Sequence, residues 1–163
     1  MTAEPGKFVI RPIAATDAAE IVQMSKELSA HEGVTPPLVV TEDIERELAS
    51  PDCLIFGFMA EEGPDMLGYA LHCMQFDTES GRRGAFLCDL YVRPAGRRRG
   101  LATAFIEAVA RDGKARGGTW VSWHALANNA EARAFYATVG SVEEGVELWS
   151  LSNALFARFT DPA

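Results

Sequence analysis

The sequence is poor in cysteine, and its few cysteines are not arranged to hold a covalent or metal-bound framework. Cys53, Cys73 and Cys88 are odd in number, and no C-x-x-C spacing or nearby histidine completes a tetrahedral metal site. Each lies within an apolar run, which is typical of a thiol that packs as a small hydrophobic side chain. We therefore expect three buried, reduced cysteines and no metal centre.

Long apolar segments are missing as well. No stretch approaches the roughly 20 apolar residues that a helix needs to cross a bilayer. The first residues, MTAEPGKFVIRP, lack the basic start and the apolar core of a secretory signal. These absences predict a cytoplasmic protein that has no membrane partner.

Positive charge is scarce. The chain has 23 Asp and Glu residues against 15 Lys and Arg, which gives a net charge of −8 and a pI near 4.9. Such a surface repels nucleic acid and anionic lipid unless its positive charges are concentrated in one place. We therefore expect no nucleic-acid partner.

What the chain does have is the composition of a globular protein, with 48% hydrophobic and 23% charged residues. No linker or repeat divides its 163 residues, so 1–163 is predicted to form a single domain. The patterns predict strands over 8–13, 53–60, 66–76, 84–93, 119–124 and 146–151, and helices near 17–32, 41–50, 99–116 and 130–139 and from Ser152. The early hairpins and the late βαβ unit predict an α/β fold with a mixed, largely antiparallel central sheet flanked by helices.

The most informative segment is 90–110, where a strand leads through an arginine-rich loop into a helix. Four of the 15 basic residues fall within seven positions: Arg93, Arg97, Arg98 and Arg99. The first N–H groups of a helix favour negative charge, and Gly100 and Ala102 let a ligand approach the backbone closely. The segment therefore predicts a phosphate-binding loop.

Two motifs give this segment a family resemblance. The spacing R-x-x-G-x-A, from Arg97 to Ala102, resembles the acyl-CoA loop of the GNAT superfamily of N-acetyltransferases. Downstream, N-x-x-A-x-x-F-Y, from Asn129 to Tyr136, resembles the second signature of that family. The resemblance implies acetyl-CoA as co-substrate, without a metal. It implies co-substrate contacts at Leu90, Tyr91, Val92, Arg97, Arg98, Arg99, Gly100, Leu101, Ala102, Thr103, Asn129 and Phe135.

From about Lys7 to Phe159 the chain is similar to the spermidine/spermine branch of that family. The similarity is carried by the N-terminal segment, by FLCDLYV and by Trp149. It implies a small cationic amine as acceptor and a homodimer, with C-terminal strands that can be exchanged. The branch carries two acidic residues in the fourth strand, where this chain has Cys88 followed by Asp89.

The resemblance also implies roles for individual side chains. Tyr136 is expected to protonate the departing thiolate, the alternative being an aromatic that packs in the core. Asp89 is expected to orient the ammonium group and accept its proton, the alternative being a surface ion pair with Arg83. Glu32 and Trp149 are expected to line the amine site.

Three other functions remain open from the sequence. The acceptor can instead be an amino acid or its thioether analogue, an aminoglycoside or a protein amine. The chain can also be an acyl-CoA-binding regulator without turnover, although Tyr136 and Asp89 argue against this. Nucleic-acid binding through the arginine cluster is opposed by the net charge of −8.

Overall fold

The computed structural model describes residues 8–146, 148 and 150 of the chain. They fall into two compact units, the first ending at Asn129 and the second beginning at Ala130. The first unit contains β1 (Val9–Pro12), α1 (Ala18–Glu32), α2 (Thr41–Ala49), β2 (Phe56–Glu62), β3 (Asp65–Asp77), β4 (Arg82–Val92), α3 (Leu101–Ala115) and β5 (Gly118–Trp123). The second unit contains α4 (Ala130–Thr138).

The five strands form one sheet in the order of the chain, β1-β2-β3-β4-β5. The first four pair antiparallel: β1 reaches β2 through a long connection that contains α1 and α2, whereas short turns join β2 to β3 and β3 to β4. Strand β5 pairs parallel with β4 after the crossover through α3. A parallel neighbour needs such a crossover, and the helix that makes it covers one face of the sheet. The predicted α/β fold with a mixed, largely antiparallel sheet is confirmed.

The two faces of the sheet carry separate hydrophobic clusters, because side chains alternate between the faces of a strand. On one face α3 packs on the sheet, and the buried residues are Ala60, Leu67, Ala70, Ala85, Leu87, Leu101, Phe105 and Val109. On the other face α1 packs on the sheet, and the buried residues are Ile21, Met24, Met59, Tyr69, Leu71 and Tyr91. We call these the α3 face and the α1 face.

Local sequence sets the ends of α1. Asp17 precedes the helix, and its carboxylate accepts a hydrogen bond from the Ala14 N–H at 2.8 Å and pairs with Arg11 of β1 at 2.7 Å. The helix ends at Gly33, which takes the left-handed conformation (φ 67°) that glycine adopts without strain. This stop leaves Glu32 as the last helical residue.

Some expectations from the sequence need correction or lie outside the described residues. The prediction of three buried cysteines is wrong for Cys88, which is exposed, whereas Cys53 and Cys73 are half-buried. The strand expected over 146–151 is only partly described, and Trp149 and the helix expected from Ser152 lie outside the described residues. None of the helices described is long and apolar enough to cross a membrane. Within the same residues, no cluster of three or more His, Cys, Asp or Glu side chains is placed to hold a metal ion.

Candidate active site

The loop between β4 and α3 turns the chain sharply before the helix begins. A short 3-10 turn, Pro94–Gly96, is followed by two residues in the left-handed region, Arg98 (φ 57°) and Gly100 (φ 82°). A Cβ atom at Gly100 would meet nothing within 4 Å, so the space beside this residue is open. Because the first N–H groups of α3 have no acceptor within the helix, they are available to an anion at this loop.

Two arginines of the loop carry charge that no carboxylate of the described residues neutralises. Arg97 donates from Nε to the Val92 carbonyl at 3.1 Å and is half-buried, and Arg98 is exposed. Neither forms an ion pair with any residue that the structure describes. Together with the helix N-terminus they make a positive site at the end of β4.

The other two arginines of the cluster are engaged inside the fold. Arg93 binds both carboxylate oxygens of Glu27, at 2.9 and 2.8 Å, and also pairs with Glu20, which ties the end of β4 to α1. The expectation that Arg93 belongs to the phosphate-binding cluster is therefore wrong. Arg99 makes two bonds of 2.9 Å to Glu62 of β2, so its guanidinium is also held by a carboxylate.

The remaining predicted contacts of the loop divide between backbone and side chain. Leu101 is buried in the α3-face cluster, so only its backbone N–H can reach a ligand at the loop. Ala102 is half-buried and Thr103 exposed, in the first turn of α3. Leu90 and Val92 pack partly against the α3-face cluster, which leaves their backbone as the part that can contact a ligand.

A β-bulge at Cys88 decides where Asp89 points. Leu71 of β3 is the partner of Asp89, but the next residue, His72, is the partner of Leu87, so Cys88 is an extra residue in β4. Before the bulge Leu87 packs on the α3 face, and after it Tyr91 packs on the α1 face. The extra residue thus inverts the alternation and places Asp89 on the α1 face.

The pairing between β4 and β5 ends next to the bulge at Cys88. The last pair between them is Leu87 with Trp123, whereas β4 continues to Val92 with β3 as its partner. Arg93 donates its backbone N–H to the Leu67 carbonyl of β3 at 2.9 Å. Because bonding direction alternates along an antiparallel strand, the Val92 N–H points to the opposite edge, where β5 has ended.

Asp89 is held by Tyr69 on the α1 face. The Tyr69 hydroxyl donates to Oδ2 of Asp89 at 3.0 Å, and the Tyr69 side chain is fully buried. Burial raises the pKa of Asp89, and the bond from Tyr69 opposes this rise. The pKa of Tyr69 is raised by burial and by the charge of Asp89, so the phenol stays protonated and keeps donating. No ion pair joins Asp89 to Arg83 in the described part of the chain.

Glu32 lies near this pair. It is the last residue of α1 and is half-buried, and its negative charge contributes to the raised pKa of Tyr69. Glu27, one turn earlier, pairs with Arg93, and that arginine lowers the pKa of Glu27. Asp89 and Glu32 are therefore two carboxyl groups on this face that are not paired with Arg93.

The second motif lies across the end of the first unit and the start of the second. Asn129 donates its backbone N–H to the Leu126 carbonyl at 2.9 Å and closes the first unit. Within the second unit, Phe135 and Tyr136 are half-buried, with ring centroids 5.4 Å apart. The Tyr136 carbonyl accepts from the Ser141 hydroxyl at 2.8 Å, which secures the end of α4.

Sequence reasoning missed Tyr69. Its local signal is an aromatic residue in a strand, which is most often part of a core. Its contact with Asp89 depends on the register between β3 and β4 and on the bulge, and neither can be read from the residues alone.

The chain is similar in sequence to a known family and to individual proteins. Residues 21–140 match the model of the acetyltransferase (GNAT) family. The chain is 28% identical over 159 residues to a thialysine N-epsilon-acetyltransferase of Caenorhabditis elegans, covering 94% of this chain and 98% of that protein.

Solved structures share the fold at lower identity. An aminoglycoside acetyltransferase from an uncultured soil metagenomic sample, in complex with sisomicin, has a TM-score of 0.74 at 17% identity, covering 90% of this chain and 97% of that one. A predicted acetyltransferase with acetyl-CoA from Clostridium acetobutylicum has a TM-score of 0.71 at 21% identity, covering 87% and 96%. The chain belongs to the acetyltransferase (GNAT) family. It is an N-acetyltransferase.

Proposed function

We propose that this protein transfers an acetyl group from acetyl-CoA to a primary amine of a small cationic molecule, by direct attack in a ternary complex. The observation that carries the proposal is Asp89, a carboxyl group of raised pKa where β4 separates from β5. Val92 lies three residues further along the same strand, roughly 10 Å away. A proton acceptor and an anion-binding loop are thus joined by one strand.

The loop from Arg97 to Thr103 fits the phosphates of CoA. It offers the first N–H groups of α3, open space beside Gly100 and the charges of Arg97 and Arg98. When bound, acetyl-CoA supplies the activated acetyl group. The Val92 N–H is proposed to hold the acetyl carbonyl oxygen, and one such donor is typically worth about 3 kcal/mol.

Asp89 is proposed to bind the ammonium group and accept its proton, directly or through a water. An alkylamine with a pKa of about 10.4 is neutral in only about one molecule in a thousand near pH 7, so a base is needed. A carboxylate of raised pKa is a stronger base than one in water. Tyr69 keeps one oxygen of Asp89 occupied and leaves the other for the amine.

Tyr136 is proposed as the acid that delivers a proton to the departing thiolate. Its place in the N-x-x-A-x-x-F-Y motif supports this role, with Phe135 and Asn129 as further contacts to the co-substrate. Glu32 is proposed to attract the cationic acceptor, and its electrostatic effect on Tyr69 supports that role. Trp149, which lies outside the described residues, is proposed to contact the amine acceptor.

The names of the relatives suggest two further acceptor classes. The curated relatives are thialysine acetyltransferases, so a lysine-like amino acid is a candidate alongside polyamines. One structural neighbour binds sisomicin, which makes an aminoglycoside a third candidate. All three carry primary amines and positive charge, which the carboxyl groups of Asp89 and Glu32 are proposed to attract.

A panel of amines tests the proposal, with release of the CoA thiol as the readout. Thialysine, lysine, spermidine, a short diamine and sisomicin are compared at saturating acetyl-CoA. We expect turnover with at least one small cation and little with an uncharged amide. Binding of acetyl-CoA without thiol release for any amine would favour the acyl-CoA-binding regulator instead. Light scattering on the same sample tests the proposed homodimer.

A further inference from the structure

Two thiols meet beside the proposed base. Sγ of Cys88 lies 3.9 Å from Sγ of Cys73, and it is 3.6 Å from the Phe86 carbonyl. Cys73 is on the α1 face, since it is two residues beyond Leu71 in an uninterrupted part of β3. Asp89 occupies the same face and is the next residue after Cys88.

We propose that Cys73 and Cys88 are an oxidative modification site, which closes to an internal disulfide and thereby lowers acetyl transfer. The bridge itself does not depend on the proposed function. Its effect on turnover does, because that effect acts through Asp89.

The geometry allows the bond with a small rearrangement. Disulfide sulfurs lie about 2.05 Å apart, so the two thiols must approach by roughly 2 Å from their present separation. Cys88 is the extra residue of the bulge and is exposed, so it can move without breaking a ladder pair. The same movement reaches Asp89, its neighbour in the chain, and displaces the carboxylate from Tyr69.

The step balances with a low-molecular-weight disulfide as oxidant. Sγ of Cys88 attacks one sulfur of the reagent, which releases one thiol and forms a mixed disulfide. Sγ of Cys73 then displaces the second reagent thiol and forms the internal bond. The two cysteines lose two electrons and two protons. The reagent disulfide takes up these electrons and protons and leaves as two thiols. Exposed Cys88 is the attacking thiol, and half-buried Cys73 resolves the adduct.

We expect the Cys88 thiol to react slowly at neutral pH. Partial desolvation of the Cys88 sulfur and the neighbouring Cys73 raise the pKa of Cys88 to about 12, and the thiolate is the attacking species. The rate of bridge formation is therefore expected to rise about tenfold per pH unit between pH 7 and pH 9, since the thiolate fraction does so.

The test treats the full chain with glutathione disulfide at pH 8.5. We expect free thiols to fall from three to one, with no glutathione adduct remaining and a Cys73–Cys88 peptide in the non-reducing digest. Cys73→Ser should retain a glutathione adduct on Cys88, because the resolving thiol is gone. Cys53→Ser, the control, should form the same internal bridge as the natural chain.

Turnover is then measured with an amine that the unmodified protein acetylates. We expect kcat/KM to fall about tenfold or more in the bridged protein and to recover with dithiothreitol, because a displaced general base loses most of its contribution. Three persisting thiols, or a bridge that includes Cys53, would overturn the site. A Cys73–Cys88 bridge with unchanged kcat/KM would overturn its control of transfer. Thiol counts need no substrate, so a failed amine panel is a separate result.

Discussion

At the scale of single residues, Asp89 is the proposed general base of the reaction. Asp89→Asn keeps the shape and the acceptor for the Tyr69 hydroxyl but removes the base. We expect kcat to fall by about 10² or more, with an unchanged KM for acetyl-CoA, since general-base contributions are typically about 10²–10⁴. Steady-state kinetics with varied acetyl-CoA measures both.

The same substitution should stabilise the fold. Because the pKa of Asp89 is raised by folding, the ionised carboxylate weakens the folded state once the pH exceeds the unfolded value near 3.9. Asp89→Asn should therefore raise Tm at pH 8 and lose this advantage at pH 3.

Tyr69→Phe is the matched control: it removes the hydrogen bond that lowers the pKa of Asp89, so the acid limb of its pH–rate profile should move to higher pH. Full activity in Asp89→Asn would rule out the base.

Substitutions of the loop arginines should differ in their effect on acetyl-CoA binding, depending on whether a carboxylate already holds the guanidinium. Arg97→Ala removes a charge with no carboxylate partner among the described residues, so the KM for acetyl-CoA should rise about tenfold or more. Arg99→Ala should raise it less, because Glu62 already holds that guanidinium. Titration of the co-substrate against both variants, with kcat as the check on folding, measures the difference. A larger effect at Arg99 would mean that its pair with Glu62 opens when the phosphates bind.

At the scale of elements, the sequence predicts the helices and strands but not the register in which the strands pair. Apolar alternation and the turn residues around Gly63 predict the β2–β3 hairpin, and Gly33 predicts the stop of α1. The bulge at Cys88 has no such local signal, because it exists only in the pairing of β4 with β3. The roles of Arg93 and Tyr69 depend on partners distant in the chain and are hidden from the sequence for the same reason.

A buried histidine links β3 to the end of α3. Nε2 of His72 lies 2.8 Å from Oδ2 of Asp112, which also accepts from Arg116 at 2.6 Å, and Nδ1 of His72 is buried with no partner in the described part of the chain. Burial lowers the pKa of His72 below its ordinary value. As the pH is lowered from 7 to 5, His72 binds a proton in the unfolded chain more readily than in the folded chain. The free energy of unfolding therefore decreases as the pH is lowered.

His72→Gln tests this link, since glutamine can donate to Asp112 but does not titrate in this range. Thermal unfolding between pH 7.5 and pH 5 should show Tm of the natural chain falling more steeply than that of the variant. Equal slopes would mean that other groups set the acid sensitivity.

At the scale of the whole molecule, charge is distributed unevenly between pairs and open sites. Arg11, Arg93, Arg99 and Arg116 are each bound to carboxylates within the first unit. Because acidic residues outnumber basic ones by 23 to 15, many carboxylates have no basic counterpart, whereas the loop of Arg97 and Arg98 is positive. The proposed function therefore predicts that the anionic co-substrate and the cationic acceptor are attracted to different parts of the surface.

The acidity of the chain predicts that the response to salt depends on the charge of the acceptor. With acetyl-CoA saturating, kcat/KM for a tricationic amine should fall steeply as ionic strength rises from 0.01 to about 0.15 M, because the Debye length shrinks from about 30 to 8 Å. A monocationic amine should show a shallower slope, since it carries less charge through the same field. Glu32→Gln should flatten the slope for the tricationic amine more than Glu107→Gln, whose exposed carboxylate faces Arg111 on α3. Parallel slopes for the two amines would show that the acidity of the chain plays no part in attracting the acceptor.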